Sequence, residues 1–369
     1  AVSPTGSEPA EDVPIVDATG KTVIPGLIDM HTHPTLPQFG SRQGRLWLAY
    51  GVTSIRSTGG SIYRILEERE SIDAGRRIGP RIFVTGLVLD GGRIYYPEYL
   101  AIDTEEELRR ELLRAFELDY DLVKTYVRLS DELQRTAVEE AHRHGIFVTS
   151  HEIYPAVGFG VDGIEHLRGT SRRGFSPKIT DLRMSYRDVI DLVSRSGAYF
   201  TPTILIDGGF HLARAREPDL LDDPRLVALL PAWALDAARR VPAGDVADRE
   251  AIMSPIFETL RAISVAGGRI VAGTDAPIVP YGLGLVLEVE QLSEAGLGPL
   301  QAIHSATEVA AEALGVSNEL GSIRPGRLAD LVILDGDPVA DIRNLRRVDG
   351  VVSRGKFLKG ERLLDVTRP

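Results

Sequence analysis

"TEEELRRELLRAFELDYDLVKTYVRLSDELQRTAVEEAHRHGIFVTSHE", residues 104–152, reads as helix, strand, helix, strand. Three glutamates after Thr104 place acids in the first turn of a helical pattern, where the helix dipole favours them. A short apolar run, Leu122 to Val127, follows it. Ser130 then opens a second helical pattern as an N-cap, Gly145 stops it, and Ile146 to His151 forms the next run. The same alternation extends in both directions. Strands are expected at Val23 to His33, Gly51 to Ser57, Arg81 to Leu89, Gly163 to His166, Ala198 to Ile204 and Arg269 to Thr274 as well. Eight strands with intervening helices point to an α/β protein with a closed (β/α)8 barrel, although the count alone also fits an open doubly wound sheet.

Beyond Leu314 the texture changes. "GSIRPGRLADLVILDGDP" and "VDGVVSRGKFLKGERL" are strand and turn sequences without a long helix, the pattern of a small appended β-unit. At the other end, "AVSPTGSEPAEDVP" has the Pro, Ser and acid content of a linker.

The chain has 369 residues, 43% hydrophobic and 26% charged, enough for one large barrel with a substantial core. No run approaches the roughly 20 apolar residues of a membrane span, so no membrane partner is expected. A net charge of -11 disfavours a nucleic-acid partner, because phosphate binding relies on clustered Lys and Arg. The absence of cysteine excludes disulfides and thiolate chemistry, leaving His and carboxylates to hold any metal.

In such a barrel the reactive groups stand at the C-terminal ends of the strands. The first strand supplies His31 and His33, which alternation points to one face. Later strands supply Lys124, His151, His166 and Asp275. Each ends a run of apolar or small residues, where an unpaired polar group is costly. Taken singly, each has an ordinary alternative: a hydrogen-bonded core histidine, or a capping aspartate. Six such residues at equivalent strand ends favour a metal site. His142 and His144 beside Arg143, and His304, lie on helical patterns and read as solvated or packed, and His211 lies in the loop "DGGFHLARARE". Lys124 is one of only five lysines.

"VIPGLIDMHTH", "DLVKTYV", "VTSHE", "DGIEHL", "AGTDAP" and "GSIRPGRLADLVILDGDP" together resemble the amidohydrolase superfamily, most closely its prolidase-like and imidazolonepropionase-like branch. The resemblance implies a distorted (β/α)8 TIM barrel with a small β-sandwich domain. On that reading residues 1–22 are linker and sandwich remnant, 23–314 the barrel, and 315–369 the C-terminal part of the sandwich. It further implies two divalent metal ions, zinc by preference: His31, His33 and Asp275 on one, His151 and His166 on the other, and Lys124, carboxylated by CO2, bridging them. Desolvation that lowers the lysine pKa leaves a neutral amine able to take up CO2. The implied activity is hydrolysis of C–N bonds in dipeptides, N-acyl amino acids or cyclic amides by a metal-bridging hydroxide, with Asp275 shuttling the proton. Tyr126 and Arg168, two positions beyond a ligand on the same strand face, are candidate substrate contacts.

Members of this superfamily usually begin with strands that complete the sandwich, and the sequence starts just before "IVDATGKTVIPG". A preceding segment is one expected partner, and a second copy of the chain another. "GTSRRGFSPKIT" followed by "SGAYFTPTILIDGGF" is similar to large bacterial proteins in which a TolB-like propeller precedes an amidohydrolase domain. Alternative functions are a mononuclear deaminase or imidazolonepropionase-type hydrolase, which Lys124 disfavours, a lactone or ester hydrolase, and a non-catalytic scaffold, which would need none of the six residues.

Overall fold

Residues 104–152 fold as their pattern requires. Thr104 accepts the Glu107 amide while the Glu107 carboxylate accepts the Thr104 amide, a capping box that starts the helix Glu105–Glu117. Ser130 caps the next helix, Asp131–Arg143, by accepting the Leu133 amide at 3.3 Å. Leu108, Leu112 and Ala115 of the first and Leu133, Ala137, Val138 and Ala141 of the second pack over Val123 and Val148 on the strands.

The computed structural model describes residues 15–34, 39–40, 42–170 and 178–366. Part of the expected linker, residues 1–14, and part of "GTSRRGFSPKIT", residues 171–177, lie outside them. Fourteen strands are present among the described residues: β1 Thr22–Pro25, β2 Leu27–Thr32, β3 Val52–Ser57, β4 Arg81–Val84, β5 Leu89–Asp90, β6 Leu100–Ala101, β7 Leu122–Thr125, β8 Phe147–Ser150, β9 Gly163–Glu165, β10 Tyr199–Thr201, β11 Arg269–Ile270, β12 Leu331–Leu334, β13 Val348–Ser353 and β14 Lys356–Lys359.

Eight of these form the barrel wall. β2, β3 and β4 pair in parallel, as do β7 through β11 in order. Isolated hydrogen bonds rather than continuous ladders join the two arcs: the Asp121 amide donates to Val84 O at 2.8 Å on one side, and on the other the Met30 amide donates to Ala272 O at 3.0 Å and the Thr274 and Asp275 amides to His31 O at 3.0 and 2.7 Å. The result is a distorted (β/α)8 barrel. Every residue of β2, β3 and β7 is buried, as expected of parallel strands covered on both faces.

Two of the expected strands are divided. Val23 to His33 becomes β1 and β2, separated at Gly26, whose backbone lies so close to Thr53 that a Cβ would sit 1.9 Å from Oγ1. β1 then joins the C-terminal sheet, pairing antiparallel with β12 in the order β1-β12-β13-β14. Arg81 to Leu89 becomes β4 and β5, divided around Gly86, which has φ +70° and faces Tyr120 where a side chain would clash. β5 continues beside β6 and touches β7 at Thr125. His211, expected in a loop, lies instead on the helix Phe210–Arg216. The carboxyl group of buried Glu288 accepts the amides of Ile204 and Leu205 at 3.0 and 3.1 Å, so the helical turns leading into that helix are capped from a distant element. No helix among the described residues is long and apolar enough to cross a membrane.

Candidate metal centre

The six strand-end residues meet at one end of the barrel. His31 and His33 come from β2 and the residue following it, Lys124 from β7, and His151, His166 and Asp275 from positions after β8, β9 and β11. All six line a single cleft of about 560 Å3, and Tyr126 and Arg168 line it too. His142 instead pairs with Asp162 at 2.8 Å, and His144 stacks on Phe116. His304 lies beside β1, away from the cleft.

Each cleft imidazole has its Nδ1 occupied. His31 Nδ1 meets Glu165 Oε2 at 2.6 Å, His33 Nδ1 meets Gly59 O at 3.0 Å, and His151 Nδ1 meets Thr170 O at 3.3 Å. His166 Nδ1 lies 2.6 Å from Thr203 Oγ1, whose own hydroxyl donates to Pro202 O, so the imidazole is the donor. A proton held on Nδ1 leaves the Nε2 lone pair free, the usual state of a metal-ligating histidine. Nε2 of His31 is buried without a hydrogen-bond partner, and lies 3.4 Å from Asp275 Oδ1. His33 Nε2 approaches the same oxygen at 3.1 Å. Ligand atoms of His31, His33 and Asp275 all fall within 4.8 Å of one another. The ring of His166 is 4.3 Å from that of His31 and 4.5 Å from that of His151, which extends the cluster across the cleft.

Burial sets the charge states. Desolvation lowers the Lys124 ammonium to about 8, against the pull of Glu165 and Asp275. It also holds His151 and His166 well below the ordinary imidazole value, reinforced by neighbouring His166 and His31 respectively. For Asp275 burial would raise the carboxyl, but His166, His31 and His33 together hold it well below the ordinary range. The floor therefore sets the neutral imidazoles of His151 and His166 beside an ionised Asp275, a donor set suited to a divalent cation.

Two supporting residues had not been anticipated. Glu165 on β9 is fully buried and accepts from His31 through Oε2, and from Arg56 Nη2 at 2.6 Å and Thr149 Oγ1 through Oε1. Arg56 on β3 crosses the barrel interior and donates Nε to Met30 O at 2.5 Å. Burial alone would raise the Glu165 carboxyl, but Arg56 and His31 hold it well below its ordinary value. The sequence signal was a charge within an apolar run, "VTSIRS" and "GIEHL", the same anomaly that singled out Lys124.

The model of the amidohydrolase family matches residues 22–358, nearly the whole described fold. The chain belongs to the amidohydrolase family. It is an enzyme that hydrolyses carbon–nitrogen bonds, in a family that is typically metal-dependent. Among related proteins, it is 26% identical to an imidazolonepropionase of Geobacillus kaustophilus over 356 residues, covering 87% of this chain and 76% of that one. A dihydroorotase of Pelotomaculum thermopropionicum is also 26% identical, over 391 residues, 94% of this chain and 86% of that one. The fold matches a crystal structure of a Xaa-Pro dipeptidase with TM-score 0.71 and 24% identity, covering 96% of this chain and 91% of that one. These relatives carry different substrate names, so the family alone leaves this amidohydrolase's substrate to be argued from its own cleft.

Proposed function

We propose that this amidohydrolase is a binuclear metal hydrolase of small amides: dipeptides, N-acyl amino acids or cyclic amides. The observation that carries the reading is the buried Lys124 in a cleft that already holds four imidazoles and a carboxylate. The tight group of His31, His33 and Asp275 would by itself serve a single ion. A lysine at about 8 has an appreciable neutral fraction near pH 7, and its amine can add CO2 to give a carbamate, a ligand able to bridge two ions. On this reading His31, His33 and Asp275 hold one divalent ion, zinc by preference, and His151 and His166 the other. Bound there, the ions would acidify water toward neutral pH and polarise the scissile carbonyl.

The chain's own groups supply the rest. Asp275 Oδ1 takes the proton of the attacking water and returns it to the leaving nitrogen, since an amide needs an acid to expel its amine. Glu165, Gly59, Thr170 and Thr203 keep each imidazole proton on Nδ1 and fix the ring planes. Tyr126, whose ring lies 4.3 Å from that of His151, walls the cleft, and Arg168 offers a cation to a substrate carboxylate.

The test is metal content per chain by elemental mass spectrometry on protein purified without chelator, followed by a screen of dipeptides and N-acyl amino acids. About two divalent ions per chain and hydrolysis of an amide are expected. About one ion, unchanged after metal and bicarbonate are supplied, would move the single-ion reading to the front.

A further inference from the structure

Beside the catalytic cleft lies a second cavity of about 180 Å3, and the segment Pro277–Ile278 lines both. Its walls are apolar: Phe39, Phe210, Leu230 and Tyr281 surround it. From the helix Ala232–Arg240 it receives Ala234 and Ala238, four residues apart on one face, and their small side chains leave the volume open.

Two groups are out of keeping with those walls. His211 Nδ1 is buried and has no hydrogen-bond partner among the described residues. Three positions along the same helix, Arg214 is partly buried, and its guanidinium lies 5.9 Å from the Phe210 ring centroid. Among the described residues no carboxylate lies within ion-pair distance of it. The cavity lining contains no Asp or Glu. An unpaired imidazole nitrogen and an unpaired cation at the edge of an apolar space are each costly until a partner meets them; with its proton on Nδ1, His211 offers a donor beside Arg214. Apart from the Tyr281 hydroxyl, which already donates to His33 O, the polar side chains of the lining are His211 and Arg214, a set that favours an anion. Its volume bounds the apolar part, because a cavity of about 150 Å3 already admits benzene.

We propose that this cavity is a subsite for a phenyl-sized apolar group carrying a carboxylate, which accepts from Arg214 and His211. Given the hydrolase reading above, it receives the far end of an elongated amide whose scissile bond lies in the cleft across Pro277–Ile278. The substrates favoured are then N-acylated or peptidic compounds ending in an aromatic or branched apolar acid.

Calorimetric titration of the metal-loaded full chain tests this with 3-phenylpropionate and its uncharged counterpart, 3-phenylpropanamide. The carboxylate should bind at least about tenfold more tightly, as a charge-assisted contact implies. Arg214→Gln should erase that preference while the amide binds as before, and Ala238→Leu, which fills the space, should weaken both probes. Neither residue belongs to the catalytic cleft, and circular dichroism checks that both variants fold. Equal affinity for the two probes, no binding of the carboxylate, or variants that titrate like the parent would overturn the proposal. Neither titration requires turnover. A protein that binds 3-phenylpropionate as described but hydrolyses no amide would refute the proposed function and leave the subsite standing.

Discussion

Replacing Arg56 by Met should destabilise the barrel by about 3–5 kcal/mol, the usual loss when one partner of a buried ion pair is removed. The structure puts the change in that class. Both side chains are essentially inaccessible, at 3% and 0% exposure, and Arg56 is the only full cation within ion-pair distance of Glu165 among the described residues. Its loss also frees Met30 O from the Nε contact. Methionine matches the unbranched stem of arginine, so little of the effect is a cavity. With an unfolding entropy of about 2.1 cal/mol/K per residue, a chain of 369 residues carries roughly 0.8 kcal/mol/K, and the melting temperature should fall by roughly 4–6 °C. The assay is thermal unfolding of chelated protein, because bound metal would add its own stabilisation. The double variant Arg56→Met/Glu165→Gln removes the stranded charge while leaving an oxygen for His31, and should recover much of the loss. A single variant melting within about 1 °C of the parent, or a double variant no better than the single, would refute the ion-pair account.

Three further outcomes are expected. Lys124→Ala should lose at least one metal per chain by elemental analysis and more than about a hundredfold in amide hydrolysis, beyond the loss typical of a supporting residue; two metals at full rate would show that the lysine bridges nothing. Thr203→Val, which deprives His166 Nδ1 of its acceptor, should weaken metal retention in a chelator competition by roughly 10–100-fold, and an unchanged competition curve would place the tautomer control elsewhere. Burial raises the Glu288 carboxyl to about 8, so its contribution is fully present below the unfolded value of 4.5 and declines as pH rises through 8. Glu288→Gln should therefore gain stability relative to the parent between pH 5 and 9 in denaturant titrations, and parallel curves would count against a buried, protonated Glu288.

The barrel and its six strand-end residues were legible because both are local signals. An apolar run ended by one polar residue is visible without knowing what it faces, and strand direction then brings such ends together. What supports those residues is not local. Arg56 and Glu165 stand 109 positions apart and meet only when the barrel closes. Thr203 looks like any residue after a proline until its hydroxyl is seen between Pro202 O and His166 Nδ1. The division of Val23 to His33 was hidden for a related reason: β1 finds its partner in β12, some 310 residues later, and nothing in the run itself announces it. His211 reads as part of a loop in the sequence, whereas Glu288 caps the helical turns before its helix from 84 positions away.

The backbone gives an independent argument that the cleft is built to hold its side chains in place. His166, Thr203 and Asp275 all have left-handed conformations, with φ of 59°, 51° and 58°. Such conformations cost non-glycine residues of order 1–3 kcal/mol each and persist only where surroundings over-determine them. Here they are over-determined by hydrogen bonds between neighbouring strand ends. The His166 and Leu167 amides donate to Thr201 O and Pro202 O at 2.8 and 2.9 Å, and the Asp275 amide to His31 O at 2.7 Å. Asp29, fully buried, accepts the amides of His31 and Thr274 through Oδ1 and the Thr274 hydroxyl through Oδ2, locking β2 to the turn that carries Asp275. Asp119, Arg183 and Arg354 adopt such conformations elsewhere, but each of the three at the cleft is a candidate ligand or the acceptor of one. A barrel needing only to pack could end these strands in ordinary conformations, so the strain is best accounted for by the direction it gives His166 and Asp275 into the cleft.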